Sequence, residues 1–129
     1  MASLHQLLTL MVDKGASDLH ITVGSPPQLR LNGQLIPLKA PPLSAADTRQ
    51  LAYSVLTDQQ KQILEEHHEL DMSFGIKEVA RFRAAMFFQR GAIAVVVRVI
   101  PYQVMSFEEL GLPAALPTLA NRPHGLILV

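Results

Sequence analysis

Residues 79–100 read VARFRAAMFFQRGAIAVVVRVI. Two runs rich in β-branched and aromatic residues, Val79 to Phe88 and Ala92 to Ile100, flank Gln89-Arg90-Gly91, as the arms of a hairpin flank its turn. With Arg90-Gly91 as a two-residue turn, Arg83 faces Arg98 across the hairpin and Arg81 faces Ile100. Paired residues point to the same face of a sheet and side chains alternate every second position, so Arg81, Arg83 and Arg98 converge on one face. Phe82, Met86, Phe88, Ile93, Val95, Val97 and Val99 form the opposite, apolar face.

Like charges directly opposite one another cost up to about 1 kcal/mol per pair. Three arginines gathered on one face therefore call for a counter-charge, and two kinds remain open. One is a carboxylate of the same sheet, Asp71 or Glu78, pairing with Arg83 or Arg98. The other is an external anion, most naturally phosphate, whose oxygens a guanidinium meets in a bidentate fork.

On the N-terminal side of this hairpin, Leu70 to Phe74 alternates polar and apolar residues and reads as a further strand. Leu4, Leu7, Leu8, Met11 and Val12 recur at helical spacing and predict an opening helix ended by Gly15. Asp18 to Val23 alternates as a half-buried strand, and Gln28 to Leu31 and Gln34 to Leu38 form a hairpin across Asn32-Gly33. Ser44 with Asp47 starts a capped helix carrying Leu51, Val55 and Leu56 inward, and Thr57 caps another containing Ile63 and Leu64. Glu65, Glu66, His67, His68 and Glu69 include metal-ligating residue types, but neighbours on a helix point about 100° apart. The run reads as a solvated acidic face, with no metal site assigned.

On the C-terminal side, Ser106 to Gly111 is a capped turn and Pro113 to Leu119 a short helix. Leu126-Ile127-Leu128-Val129 is a continuous apolar run of the kind found in buried parallel strands. A buried strand needs a neighbour, so the chain reads as a domain excised from something longer.

The 129 residues balance 11 Lys and Arg against 11 Asp and Glu, but unevenly. Residues 1–72 carry 5 basic and 8 acidic side chains, residues 73–129 carry 6 basic and 3 acidic. Zero net charge argues against a whole-surface nucleic-acid binder, for which phosphate neutralisation would demand excess Lys and Arg. The absence of Cys excludes a disulfide framework, a thiolate zinc site and a cysteine nucleophile. No run approaches the roughly 18 apolar residues of a membrane span, and residues 1–12 lack the cationic start of a targeting signal.

Six stretches in order carry a resemblance over all 129 residues. They are Gly15-Ala16-Ser17-Asp18-Leu19-His20; Pro26-Pro27 with Arg30 and Gly33; Ala80-Arg81-Phe82-Arg83; Arg98-Val99-Ile100-Pro101; Phe107-Glu108-Glu109-Leu110-Gly111; and Pro123-His124-Gly125-Leu126-Ile127-Leu128-Val129. With these the sequence resembles the N-terminal part of the type IV pilus retraction ATPases, motors of the secretion ATPase superfamily. The resemblance implies an α+β, PAS-like domain over residues 1–100, an antiparallel sheet with helices packed on one side. It further implies an interdomain linker with short helices at 101–121 and, at 122–129, the first strand of a RecA-like motor domain, cut before its Walker A loop.

Also by resemblance, Arg83 and Arg98 contact nucleotide phosphates, and Arg81 matches the same motif. ATP and Mg2+ belong to the full-length hexamer, whose other partners are its own RecA-like domain, neighbouring subunits and the inner-membrane pilus platform on the cytoplasmic side. Without a G-x-x-x-x-G-K-[ST] loop the 129 residues contain no catalytic residue and are expected to be inactive alone. His124 stands where many retraction ATPases have Arg and where pilus-extension and type II secretion ATPases often have His, which leaves those branches open. A free-standing PAS-like sensor is a further alternative, with His20 as its one candidate haem ligand.

Overall fold

In the computed structural model, which describes residues 2–128, helix α1 (Leu4–Asp13) opens on a capping box. Ser3 Oγ accepts from the Gln6 backbone N–H while the Gln6 side chain accepts from that of Ser3, so two orphan donors of the first turn are satisfied. Leu4, Leu7, Leu8 and Met11 are buried, and the chain turns at Gly15 with φ +65°. Strand β1 (Asp18–Ile21) follows and is two residues shorter than expected, because Val23 leaves the ladder for an isolated bridge to Leu43. Strands β2 (Gln28–Leu31) and β3 (Gln34–Pro37) form a hairpin whose Asn32-Gly33 turn has φ of 48° and 82°, the two positive angles of a type I′ turn.

The predicted caps of the next two helices form, each as a full capping box. Ser44 caps α2 (Ala45–Tyr53) with Asp47, and Thr57 caps α3 (Asp58–His67) with Gln60. Helix α2 stops before Val55 and Leu56, so only Leu51 of the expected trio lies on it; Leu56 is nonetheless buried in the connection. The carboxylate of Glu65 joins the two helices, accepting from Arg49 Nη2 at 2.7 Å and from the Tyr53 hydroxyl. His68 leaves α3 in the left-handed conformation, φ 59°, and its ring packs edge-on against Phe88, while His67, Glu65 and Glu66 are exposed.

Strands β4 (Glu69–Ile76), β5 (Ala80–Gln89) and β6 (Ala92–Ile100) complete one six-stranded sheet in the order β3-β2-β1-β6-β5-β4. All its pairings are antiparallel, and β1 sits between β2 and β6. The β5–β6 register is the expected one, Arg83 opposite Arg98 and Arg81 opposite Ile100, with Arg90 and Gly91 both at positive φ in the turn. One face of the sheet carries Leu19, Leu29, Phe82, Ala84, Met86, Val95 and Val97, all buried, and packs with α1, α2 and α3 into one core. Phe82 and Phe74 stack within it as a cross-strand pair, ring centroids 5.6 Å apart.

Beyond β6 the chain leaves the core. Ser106 and Glu109 close a reciprocal cap over the turn ended by Gly111, and α4 (Ala115–Ala120) is short. The expected strand at Leu126–Val129 is not present among the described residues. Leu126 and Leu128 are 82% and 85% exposed and no described strand lies beside them to accept their hydrogen bonds; Val129 lies outside the described residues.

Because Phe82 is fully buried at the centre of the apolar face, Phe82→Ala should destabilise the domain by about 3–5 kcal/mol in chemical denaturation. A loss below about 1 kcal/mol would mean that the core does not sit on this face.

Candidate functional site

The face of the sheet turned away from the helices carries the arginines. Asp18 pairs across the ladder with Arg30 on β2 and with Arg98 on β6, Arg98 pairs with Arg83 on β5, and Arg83 with Ser73 on β4. A single row thus crosses five strands with three guanidiniums and one carboxylate. Register alone creates it, since side chains directly opposite in a ladder share a face.

The carboxylate is the buried member. The Asp18 side chain is 6% exposed and each of its oxygens is engaged. Oδ1 accepts from Arg98 Nε at 3.0 Å; Oδ2 accepts from the Ser17 hydroxyl at 2.8 Å and lies 3.4 Å from Arg30 Nε. Burial by itself would push this carboxyl up, but the Ser17 hydroxyl and the Arg98 and Arg30 guanidiniums outweigh it and hold it below the ordinary value. The counter-charge of the cluster is therefore Asp18, not Asp71 or Glu78. Asp71 lines the same groove without an ion pair, and Glu78 lies in the β4–β5 turn at φ 62°.

The three arginines of the row are used differently. Arg30 is consumed by the fold: one terminal nitrogen donates to the Gly33 carbonyl at 3.0 Å and the other lies 3.5 Å from His20 Nε2. Arg98, 72% exposed, commits only its Nε. Its terminal nitrogens, and all five N–H donors of Arg83, have no partner among the described residues. Arg83 and Arg98, with Asp18, Asp71, Ala85 and Val96, line a shallow groove of about 240 Å³. Arg81 lies on the same face but outside the groove, between Gly75 and Ile100 in the next row. So the structure joins two of the three predicted arginines and sets the third apart.

His20 sits one row along on β1, beside Arg30. Burial pushes its pKa down, the Arg30 charge adds to this, and Asp18 opposes it in part, so the ring is neutral at neutral pH. Its placement is that of a strand residue bonded on the sheet surface. Among the described residues no group of three His, Cys, Asp or Glu side chains is placed to hold a metal ion.

Chemically, the groove can hold an anion. Arginine stays protonated at any physiological pH, so these groups offer fixed positive charge and paired donors rather than proton transfer. Asp18 and Arg30 stand in the stretches that carry the resemblance but were not assigned to the site from the sequence. The signals were present, Asp18 opening an alternating run and Arg30 standing two residues before Asn32-Gly33, but the Arg98–Asp18 bond joins positions 80 residues apart and no local pattern reports it.

No protein-family model matches the chain. It is 39% identical over 123 residues to the type IV pilus ATPase PilU of Pseudomonas aeruginosa, covering 95% of this chain and 32% of that protein. It is 38% identical over 124 residues to the type IV pilus retraction ATPase PilT of the same organism, covering 96% of this chain and 36% of that protein. A crystal structure of the pilus retraction motor PilT with bound ADP superposes with a TM-score of 0.79 at 40% identity, over 95% of this chain and 36% of that one. The chain spans about a third of the length of the curated relatives it matches.

The depressed Asp18 pKa fixes a sign for acid stability. Its contribution is fully present above the ordinary carboxylate value of about 3.9 and is lost as pH falls through the lower folded-state value. Thermal unfolding between pH 5 and pH 2 should show this loss, and Asp18→Asn should flatten it. An unchanged acid limb in that variant would remove Asp18 from the account.

Proposed function

Because this chain is homologous over 95% of its length to type IV pilus ATPases and matches the N-terminal domain of PilT, we propose that it serves as the PAS-like N-terminal domain of a hexameric, ATP-driven motor for type IV pilus retraction and twitching motility. In this reading Arg83 and Arg98 contact the phosphates of nucleotide held by the RecA-like motor domain. The observation that carries it is the pair itself: two exposed guanidiniums directly opposite each other, with donors unpartnered among the described residues, on the rigid middle of a sheet. An anion entering between them would relieve their mutual repulsion, which supports phosphate as the ligand.

Phosphoryl transfer spreads charge over the phosphate oxygens, and fixed cations aimed at those oxygens lower its barrier. Arg83 and Arg98 would act in this way, stabilising charge, while the phosphate loop and the water-positioning group reside elsewhere in the full-length protein. Mg2+ would be held there too, by the nucleotide phosphates and one or two motor-domain oxygens. Arg81, one row away, would reach phosphate only after the domain closes further.

The segment after β6 supports the proposed contacts with the motor domain and with neighbouring subunits. Val104, Met105, Leu110 and Leu126 are each more than half exposed, and apolar surface of this kind marks a face that meets another protein surface. No helix among the described residues is long and apolar enough to cross a membrane. The proposed motor would engage the inner-membrane pilus platform from the cytoplasm.

The test uses the full-length ATPase. Replacing Arg83 or Arg98 by Ala removes a charge-assisted contact worth roughly 1.5–3 kcal/mol and should cut ATP hydrolysis by about one to two orders of magnitude. Wild-type turnover in both variants would return the pair to a structural role.

A further inference from the structure

We propose that Asp18 is the positioning residue for Arg98, holding the guanidinium by its Nε edge so that its two terminal nitrogens stay presented to a phosphate. The inference rests on the nucleotide reading of Arg98 and goes beyond it by naming what orients that arginine.

The geometry of the row supports the assignment. A carboxylate and a guanidinium free to choose would pair fork to fork, consuming both oxygens and two nitrogens. Here Asp18 offers Arg98 only Oδ1, at 3.0 Å from Nε. Oδ2 is already occupied by the Ser17 hydroxyl at 2.8 Å and faces Arg30 Nε at 3.4 Å. Arg30 cannot swing away to release that oxygen, because its own terminal nitrogen is tied to the Gly33 carbonyl at 3.0 Å. The fork is thereby prevented from closing, and the outer edge of Arg98 remains open.

The contrast in exposure follows from the same arrangement. The Asp18 side chain is 6% exposed and Arg98 is 72% exposed, so a fixed buried acceptor anchors a head group that projects into the groove. Without that anchor a side chain with four rotatable bonds would sample many orientations, and its alignment with a phosphate would have to be bought at each binding event. Asp71, exposed and without an ion pair, has no such hold on the neighbouring Arg83.

Four variants of the full-length ATPase decide the matter, each followed by kcat and KM for ATP and by thermal unfolding: Arg98→Ala, Asp18→Asn, their double combination, and Arg98→Lys. Asp18→Asn should lower kcat by about 10- to 100-fold, the range that misplacing a catalytic contact commands. In the Arg98→Ala background the same change should lower kcat less than about twofold, because nothing is left to position. Arg98→Lys keeps an ion pair with Asp18 but has one ammonium in place of two edges, so it should be as slow as Arg98→Ala while remaining folded.

If Arg98→Ala hydrolyses ATP at the wild-type rate, the nucleotide reading fails and the positioning role fails with it. If Arg98→Ala is slow but Asp18→Asn keeps kcat within about twofold, or slows both backgrounds by the same factor, the positioning role alone is overturned. Should Asp18→Asn fail to fold, Asp18→Glu decides: it keeps the charge but displaces the carboxylate by one methylene, so a kcat loss that disappears in the Arg98→Ala background upholds the proposal, and wild-type kcat or an equal loss in both backgrounds overturns it.

Discussion

A carboxylate buried at the centre of a sheet, between two arginines, is the constraint on which the rest of this domain depends. Asp18 stands on the strand that joins the two hairpins, with Arg30 from one and Arg98 from the other on either side. Removing a carboxylate from water costs several kcal/mol unless opposite charge and hydrogen bonds meet it. The two guanidiniums and the Ser17 hydroxyl supply both, so the register that brings them together is strongly preferred over a slipped one. A one-residue slip at β1 would turn Asp18 into the core and Leu19 out to solvent.

That register also fixes the character of the two faces. Leu19, Leu29, Val97 and Phe82 are carried to the helical side, where three capped helices close over them. The same alternation places the arginines together on the uncovered side. Three positive charges against one negative leave the row itself with a surplus, while Asp71, one row along, brings a second carboxylate to the groove. The two edges of the sheet are less demanding: β3 is four residues long, exposed throughout, and ends on a proline, features that discourage further strand addition.

Much of the architecture was legible one segment at a time. The Ser44–Asp47 capping box, the Thr57 cap, the Asn32-Gly33 and Arg90-Gly91 turns and the β5–β6 register are short-range features, each set by residues within a few positions of one another. Where the reading went astray, the missing term was non-local. Val23 was expected to continue its strand but bridges Leu43 instead. Asp71 and Glu78 were reasonable counter-charges by proximity in sequence, yet the carboxylate that pairs with Arg98 comes from the other end of the chain.

By itself, then, the sequence determined the elements, the hairpin that sets Arg83 against Arg98, and the kinship with pilus motor ATPases, because periodicity, turn chemistry and motif spacing are all written locally. Only the tertiary structure decided that β1 lies between β2 and β6, and hence that Asp18 divides its two oxygens between Arg30 and Arg98. The reason is physical: which strands become neighbours depends on burying the apolar faces of the whole sheet against all three helices at once, a sum over the entire chain that no single segment contains.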